Sequence, residues 1–78
     1  MKVSEALRVE LQSTILASAA YDNRRAILQL EFRSGAVYRY LQVPEGIYQD
    51  LLQAASHGAY FNHAIRDRFP YLLVQPAP

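Results

Sequence analysis

The sequence predicts an α+β fold: a small antiparallel β-meander of three to four strands, followed by two helices packed on one face. Two patterns and their order carry that expectation. Residues 28–41 alternate apolar and polar side chains on either side of Ser34-Gly35, the pattern of a β-hairpin. Residues 47–55 space their apolar side chains as a helix does. Strands that come first and helices that follow, rather than alternate, indicate α+β.

Residues 1–12 form an N-terminal extension. Leu7, Val9 and Leu11 alternate with Arg8, Glu10 and Gln12, which suits a strand, while Ser4 ahead of Glu5, Ala6 and Leu7 also suits a helix cap. The strand is the preferred of these two readings. The domain itself spans 13–74. Thr14 to Tyr21 is a strand with apolar residues on both faces and small ones at Ala17, Ser18, Ala19 and Ala20, which let a helix pack close. Asp22-Asn23-Arg24-Arg25 is a polar turn.

The hairpin admits two registers. A two-residue loop pairs Phe32 with Val37 and sends Tyr38 and Tyr40 to the wet face with Glu31 and Gln29. A three-residue loop with a glycine bulge pairs Phe32 with Ala36 and sets both tyrosines beside Leu28 and Leu30. The hydrophobic pattern sets register, and the first option puts Arg39 in the core, so the second is preferred. Pro44 ends the strand and opens a helix, whose stripe is Ile47, Tyr48, Leu51, Leu52 and Ala55. Gly58 interrupts it. A shorter helix is expected from about Tyr60 to Arg68, burying Phe61, Ala64 and Ile65, and Pro70 ends it. Tyr71 to Val74 suits a last strand, and 75–78 a frayed tail.

The chain has 78 residues, which is one domain with a marginal core. It has no cysteine, so neither disulfides nor thiolate metal sites supplement that core, and self-association as a homodimer is the remaining aid. Absent cysteine fits a cytoplasmic protein. The formal net charge of +1 lacks the broad basic excess of a dedicated nucleic-acid binder. No apolar run approaches the roughly 20 residues of a membrane span, and the N-terminus does not read as a signal peptide.

A longer pattern resembles a known family. Tyr21-Asp22, then Leu28-x-Leu30-x-Phe32-Arg33-Ser34-Gly35, then Val37-Tyr38-Arg39-Tyr40, Val43-Pro44 and Gly58-x-Tyr60-Phe61-Asn62-x-x-Ile65-Arg66 resemble the KTSC domain over about residues 13–71. That family is named for a domain at the C-terminus of some lysyl-tRNA synthetases and also occurs as a free-standing small bacterial protein. The synthetase association implies RNA binding. Ala64, Asp67 and His57 depart from the family pattern and lower the local positive charge.

The candidate nucleic-acid-binding residues are Arg33, Tyr38, Arg39, Tyr40, Asn62, Arg66 and Arg68. Tyr38 and Tyr40 suit an aromatic platform for stacked bases, with Arg33 and Arg39 for phosphates. In the preferred register, however, both rings belong to the core, with their hydroxyls at its edge. Asn62 and Arg66 lie one helical turn apart and, with Tyr60 and Arg68, suit an anion such as phosphate. The competing role is structural: Asn62 bonds a backbone group and Arg66 pairs with Asp22, Glu31 or Asp50. His63 and Asp67 form a surface pair one turn apart. No nucleophile–base set, metal-ligand spacing or phosphate loop occurs, so no enzyme, metal or cofactor is expected. RNA is the first partner expected; a protein partner or a second copy is the alternative.

Overall fold

The computed structural model describes residues 8–78. It holds five strands in the order β1-β2-β3-β4-β5, all antiparallel: β1 Val9–Glu10, β2 Leu16–Asp22, β3 Ile27–Phe32, β4 Val37–Tyr40 and β5 Tyr71–Gln75. Between β4 and β5 lie α1, Glu45–Gln53, and α2, His57–Tyr60, which runs on into a π-helical turn, Phe61–Ile65. The class is the α+β expected, with one strand more than the upper expectation. The extra strand is β1, two residues of the N-terminal extension, where Val9 pairs with Ala19. The helix cap considered at Ser4 lies outside the described residues, as does Leu7. No helix among the described residues is long and apolar enough to cross a membrane.

The hairpin takes the register that puts both tyrosines beside the leucines. Leu28 faces Tyr40 and Leu30 faces Tyr38. The loop closes with Phe32 N–H on the Ala36 carbonyl at 2.8 Å, and Gly35 turns it at φ 97°, a region in which a Cβ is strained. In β2 a bulge between Leu16 and Ser18 inserts one residue. Leu16 and Ala19, three apart, therefore share the face of Leu28 and Leu30, because an extra residue inverts the alternation beyond it.

That face is covered by the helices. Leu16, Leu28, Leu30, Val43, Leu51 and Ile65 are fully buried there. Each such side chain contributes about 1.5–3 kcal/mol by leaving water. In α1, Tyr48 and Leu51 are buried, and Ile47 and Leu52 pack against the core from its margin. Ala55, expected on this stripe, is exposed, because α1 ends at Gln53. Gly58 does not interrupt the helical region. It is buried inside α2, where a Cβ would come within 3.0 Å of the Ile15 side chain. Ser56 caps α2, accepting from Ala59 N–H at 3.1 Å. The second helical segment thus starts and ends three residues earlier than expected.

Two motif elements serve this architecture. The Tyr21 hydroxyl donates to the Val43 carbonyl at 2.6 Å, and its ring stacks on Tyr48 at 5.1 Å, which ties β2 to the entry of α1. Asp22 accepts the backbone N–H groups of Arg24 and Arg25 and so fixes the polar turn. The last strand extends one residue beyond Val74: Gln75 faces Val37, and its side chain donates to the Gly35 carbonyl at 3.2 Å.

Candidate functional site

The aromatic residues of β3, β4 and β5 gather at one end of the layer between sheet and helices. Alternation along β4 puts Tyr38 and Tyr40 on the same face, and β5 sets Tyr71 directly opposite Tyr40. From the helical side Phe61 joins them. Tyr40 meets Phe61 at 5.9 Å and 73°, and Phe32 meets Tyr38 at 5.7 Å and 81°, both edge to face. Edge-to-face rings are attractive. A half-open cavity of about 500 Å³ is left above them. That volume lies within the roughly 300–1,000 Å³ of small-ligand sites.

Phe32, Tyr38, Tyr40 and Phe61 form the floor of this cavity; Ile15, Asn62, Arg66, Asp67 and Tyr71 form its rim. Tyr40 is only 5% exposed, whereas Tyr71 is 56% exposed and offers ring surface to a ligand. Burial pushes the Tyr40 hydroxyl up to about 12; the neighbouring phenols of Tyr38 and Tyr71 add to this, and Arg66 opposes it. Tyr40 is therefore a neutral phenol across the physiological range.

The backbone shapes the rim. The π-type bond from Arg66 N–H to the Phe61 carbonyl, 2.8 Å, ends the helix early. Short π-helical turns are frequent at functional sites. Arg66 then leaves helical geometry, and Asp67 adopts φ 61°. Asp is one of the few side chains that tolerates this left-handed region. The helical pairing expected between His63 and Asp67 does not form, because the helix has already ended. Arg66 lies 4.0 Å from Asp67 instead of pairing with Asp22, Glu31 or Asp50. Both side chains are largely exposed, so this contact contributes little to stability.

Four of the seven residues chosen from sequence meet here: Tyr38, Tyr40, Asn62 and Arg66. The tyrosines are not the open platform considered above, because the register turns them under the helical layer and buries Tyr40. Arg33 is structural. Its guanidinium donates to the carbonyls of Ser13 and Leu11, each at 2.9 Å, and pins the segment entering β2. Arg39 projects from the opposite face, where it donates to Gln29 at 2.8 Å. Arg68 is exposed and does not line the cavity. Tyr60 packs against the core margin.

Sequence reasoning missed Ile15, Phe32, Phe61, Asp67 and Tyr71 as site residues. The signal for Tyr71 was its place in the last strand, which needed only to be paired with β4. Phe61 and Phe32 were legible as apolar but not as members of one floor. Asp67 was read through a helix that does not extend to it.

Comparison with known proteins agrees with this architecture. The KTSC domain family model matches residues 12–69. A protein from Stutzerimonas stutzeri (strain A1501) is 49% identical over 59 residues, covering 76% of this chain and 83% of its own. A lysine–tRNA ligase from Nostoc punctiforme is 33% identical over 60 residues, which are 77% of this chain but 11% of the ligase. The crystal structure of a KTSC domain protein from Yersinia pestis superimposes with a TM-score of 0.85 at 31% identity, over 87% of this chain and 96% of that one.

Proposed function

This chain belongs to the KTSC domain family, and from that premise we propose that it is a small RNA-binding module whose ligand enters the aromatic pocket. The observation that carries this reading is the convergence of Tyr38, Tyr40 and Tyr71 with Asn62 and Arg66 around one cavity. Unpaired bases of RNA stack on aromatic rings, while Arg and Asn side chains hold phosphate and sugar oxygens. The likeness to part of a lysine–tRNA ligase supports RNA, and tRNA in particular, as the partner.

Binding on this reading is weak. Arg39 is committed to the far face and Arg33 to the backbone, so phosphate neutralisation rests on Arg66, with Arg68 nearby. Dissociation constants of about micromolar or weaker at physiological salt follow. The module performs no catalytic step, and it acts in the cytoplasm, where a cysteine-free domain loses nothing by reduction.

A titration of structured tRNA against the wild type and an Arg66→Ala, Arg68→Ala double variant tests the proposal. Weaker binding by a variant with an unchanged melt supports it; equal binding by both proteins refutes it. One observation favours a second reading, a protein partner or a second copy along β5. That edge strand exposes about half of each of Tyr71, Leu72, Leu73 and Val74.

A further inference from the structure

Among the described residues Asp67 is the one acidic side chain on the rim, beside Asn62, Arg66, Tyr71 and the aliphatic Ile15. Its backbone is fixed there, while its side chain is 86% exposed at the mouth of the cavity. Its left-handed backbone, φ 61°, sits between the Arg66 N–H bond to Phe61 and the Arg68 N–H bond to Ile65, at 2.8 and 3.0 Å. The carboxylate only accepts hydrogen bonds. Arg66, 4.0 Å away, offsets its charge, so the rim as a whole is neutral. A neutral rim gives a free cation little net attraction but leaves carboxylate lone pairs for a ligand's N–H groups. Asn62 both donates and accepts through its amide, so it can meet either an amino group or a carbonyl oxygen.

Resting on the RNA reading, we infer that the pocket takes a single unpaired nucleobase bearing an exocyclic amino group, and that Asp67 discriminates against uracil. Cytosine, adenine and guanine each carry an amino donor, and a carboxylate accepts from such groups. Uracil carries a carbonyl oxygen where cytosine carries its amino group. Facing Asp67, that oxygen sets acceptor against acceptor. Cytosine and uracil are otherwise alike in ring size, sugar and phosphate. Stacking on Tyr71 and any phosphate contact of Arg66 therefore cancel between them. The base edges differ at O4/N4 and at N3, where uracil has an N–H and cytosine an acceptor, so the Asp67→Asn comparison is what isolates the carboxylate.

An unpaired base is required because stacking on the exposed Tyr71 ring needs a free base face, which duplex bases cover with their neighbours. A second depression of about 430 Å³ shares Ile15 and Asn62 with the first and adds the hydroxyl side chains of Ser13, Thr14 and Ser56. It provides room for the neighbouring nucleotide.

The test uses short single-stranded oligomers of cytidine and of uridine, titrated into the full chain and into Asp67→Asn and followed by NMR. Asn also tolerates the left-handed backbone, so the turn is kept. The wild type should bind the cytidine oligomer at least about fivefold tighter, the low end for a base-edge contact. Asp67→Asn should bring that ratio to near one or invert it, because its amide donates to the uracil oxygen. Equal affinities in the wild type, or a ratio that Asp67→Asn leaves unchanged, overturns the assignment. Failure of both oligomers and of tRNA to bind removes the RNA reading itself, an outcome distinct from binding without discrimination.

Discussion

The layer between sheet and helices has two ends built from different side chains. Towards β2, Leu16, Leu28 and Leu30 are fully buried next to the aromatic residues they pair with, and the helices add Leu51 and Ile65, also fully buried. At the aromatic end, Phe32, Tyr38, Tyr40, Phe61 and Tyr71 meet at ring-centroid distances of 5.4–6.2 Å, with most of the pairs edge to face. Branched aliphatic side chains fill a layer to the density of an organic crystal. The cavity borders the aromatic cluster, whose members Tyr71 and Tyr38 keep part of their surface open to it. The same layer is thus closed at its aliphatic end and open at its aromatic end, where the proposed binding surface lies. Substitutions at the aliphatic end should therefore abolish folding, and those at the aromatic rim should spare it.

The largest expected effect is at Leu51. Leu51→Asp buries an unpaired carboxylate among aliphatic side chains and should remove the cooperative melt altogether, since such burial costs more than a domain of this size has in reserve. A melt within a few degrees of the wild type would show that the aliphatic end does not hold the fold.

Tyr40 lies on the boundary between the two ends, and its effect should be intermediate. Tyr40→Ala should cost about 3 kcal/mol or more, by loss of a buried ring. Its hydroxyl adds a dependence on pH. The unfolded phenol ionises near its ordinary value of 10, and the folded one at about 12. The folded pKa is the raised one, so the contribution is fully present below pH 10 and is lost as pH rises towards 12. Burial also raises Tyr21, Tyr48 and Tyr60, which act with the same sign. Thermal melts across this alkaline window should show a steeper loss in the wild type than in Tyr40→Phe; parallel curves would contradict the assignment.

The smallest pair of effects separates two arginines that look alike in sequence. Arg33→Ala frees two backbone carbonyls and should cost about 1–3 kcal/mol. Arg66→Ala, at an exposed rim, should change stability by less than about 0.5 kcal/mol. Equal losses in chemical denaturation would mean that Arg66 too is structural.

The fold was largely legible because its signals are local. The β3–β4 register followed from one glycine and from the preference for tyrosines over Arg39 in the core. The stripe of α1 followed from periodicity. What was not legible depended on contacts distant in sequence. Arg33 was classed with Arg39 and Arg66 by its charge, yet it binds the carbonyls of Leu11 and Ser13 some 20 residues before it. Tyr71 reaches the site only through pairing of β5 with β4. The end of the last helix was misjudged because a π-type bond at Arg66 leaves no mark in hydrophobic spacing. Asp67 consequently moved from a helix face to the mouth of the pocket.

The central claim is that the aromatic end of the layer is the binding surface. The most direct measurement is a residue-by-residue NMR map of backbone amide shifts as tRNA is added to the wild type at low salt. The account predicts that changes concentrate at Tyr38, Asn62, Arg66, Asp67 and Tyr71, and that Ala20, Gln29 and Arg39 on the opposite sheet face stay in place. Changes centred on that opposite face, or none at all at saturating tRNA, would contradict it.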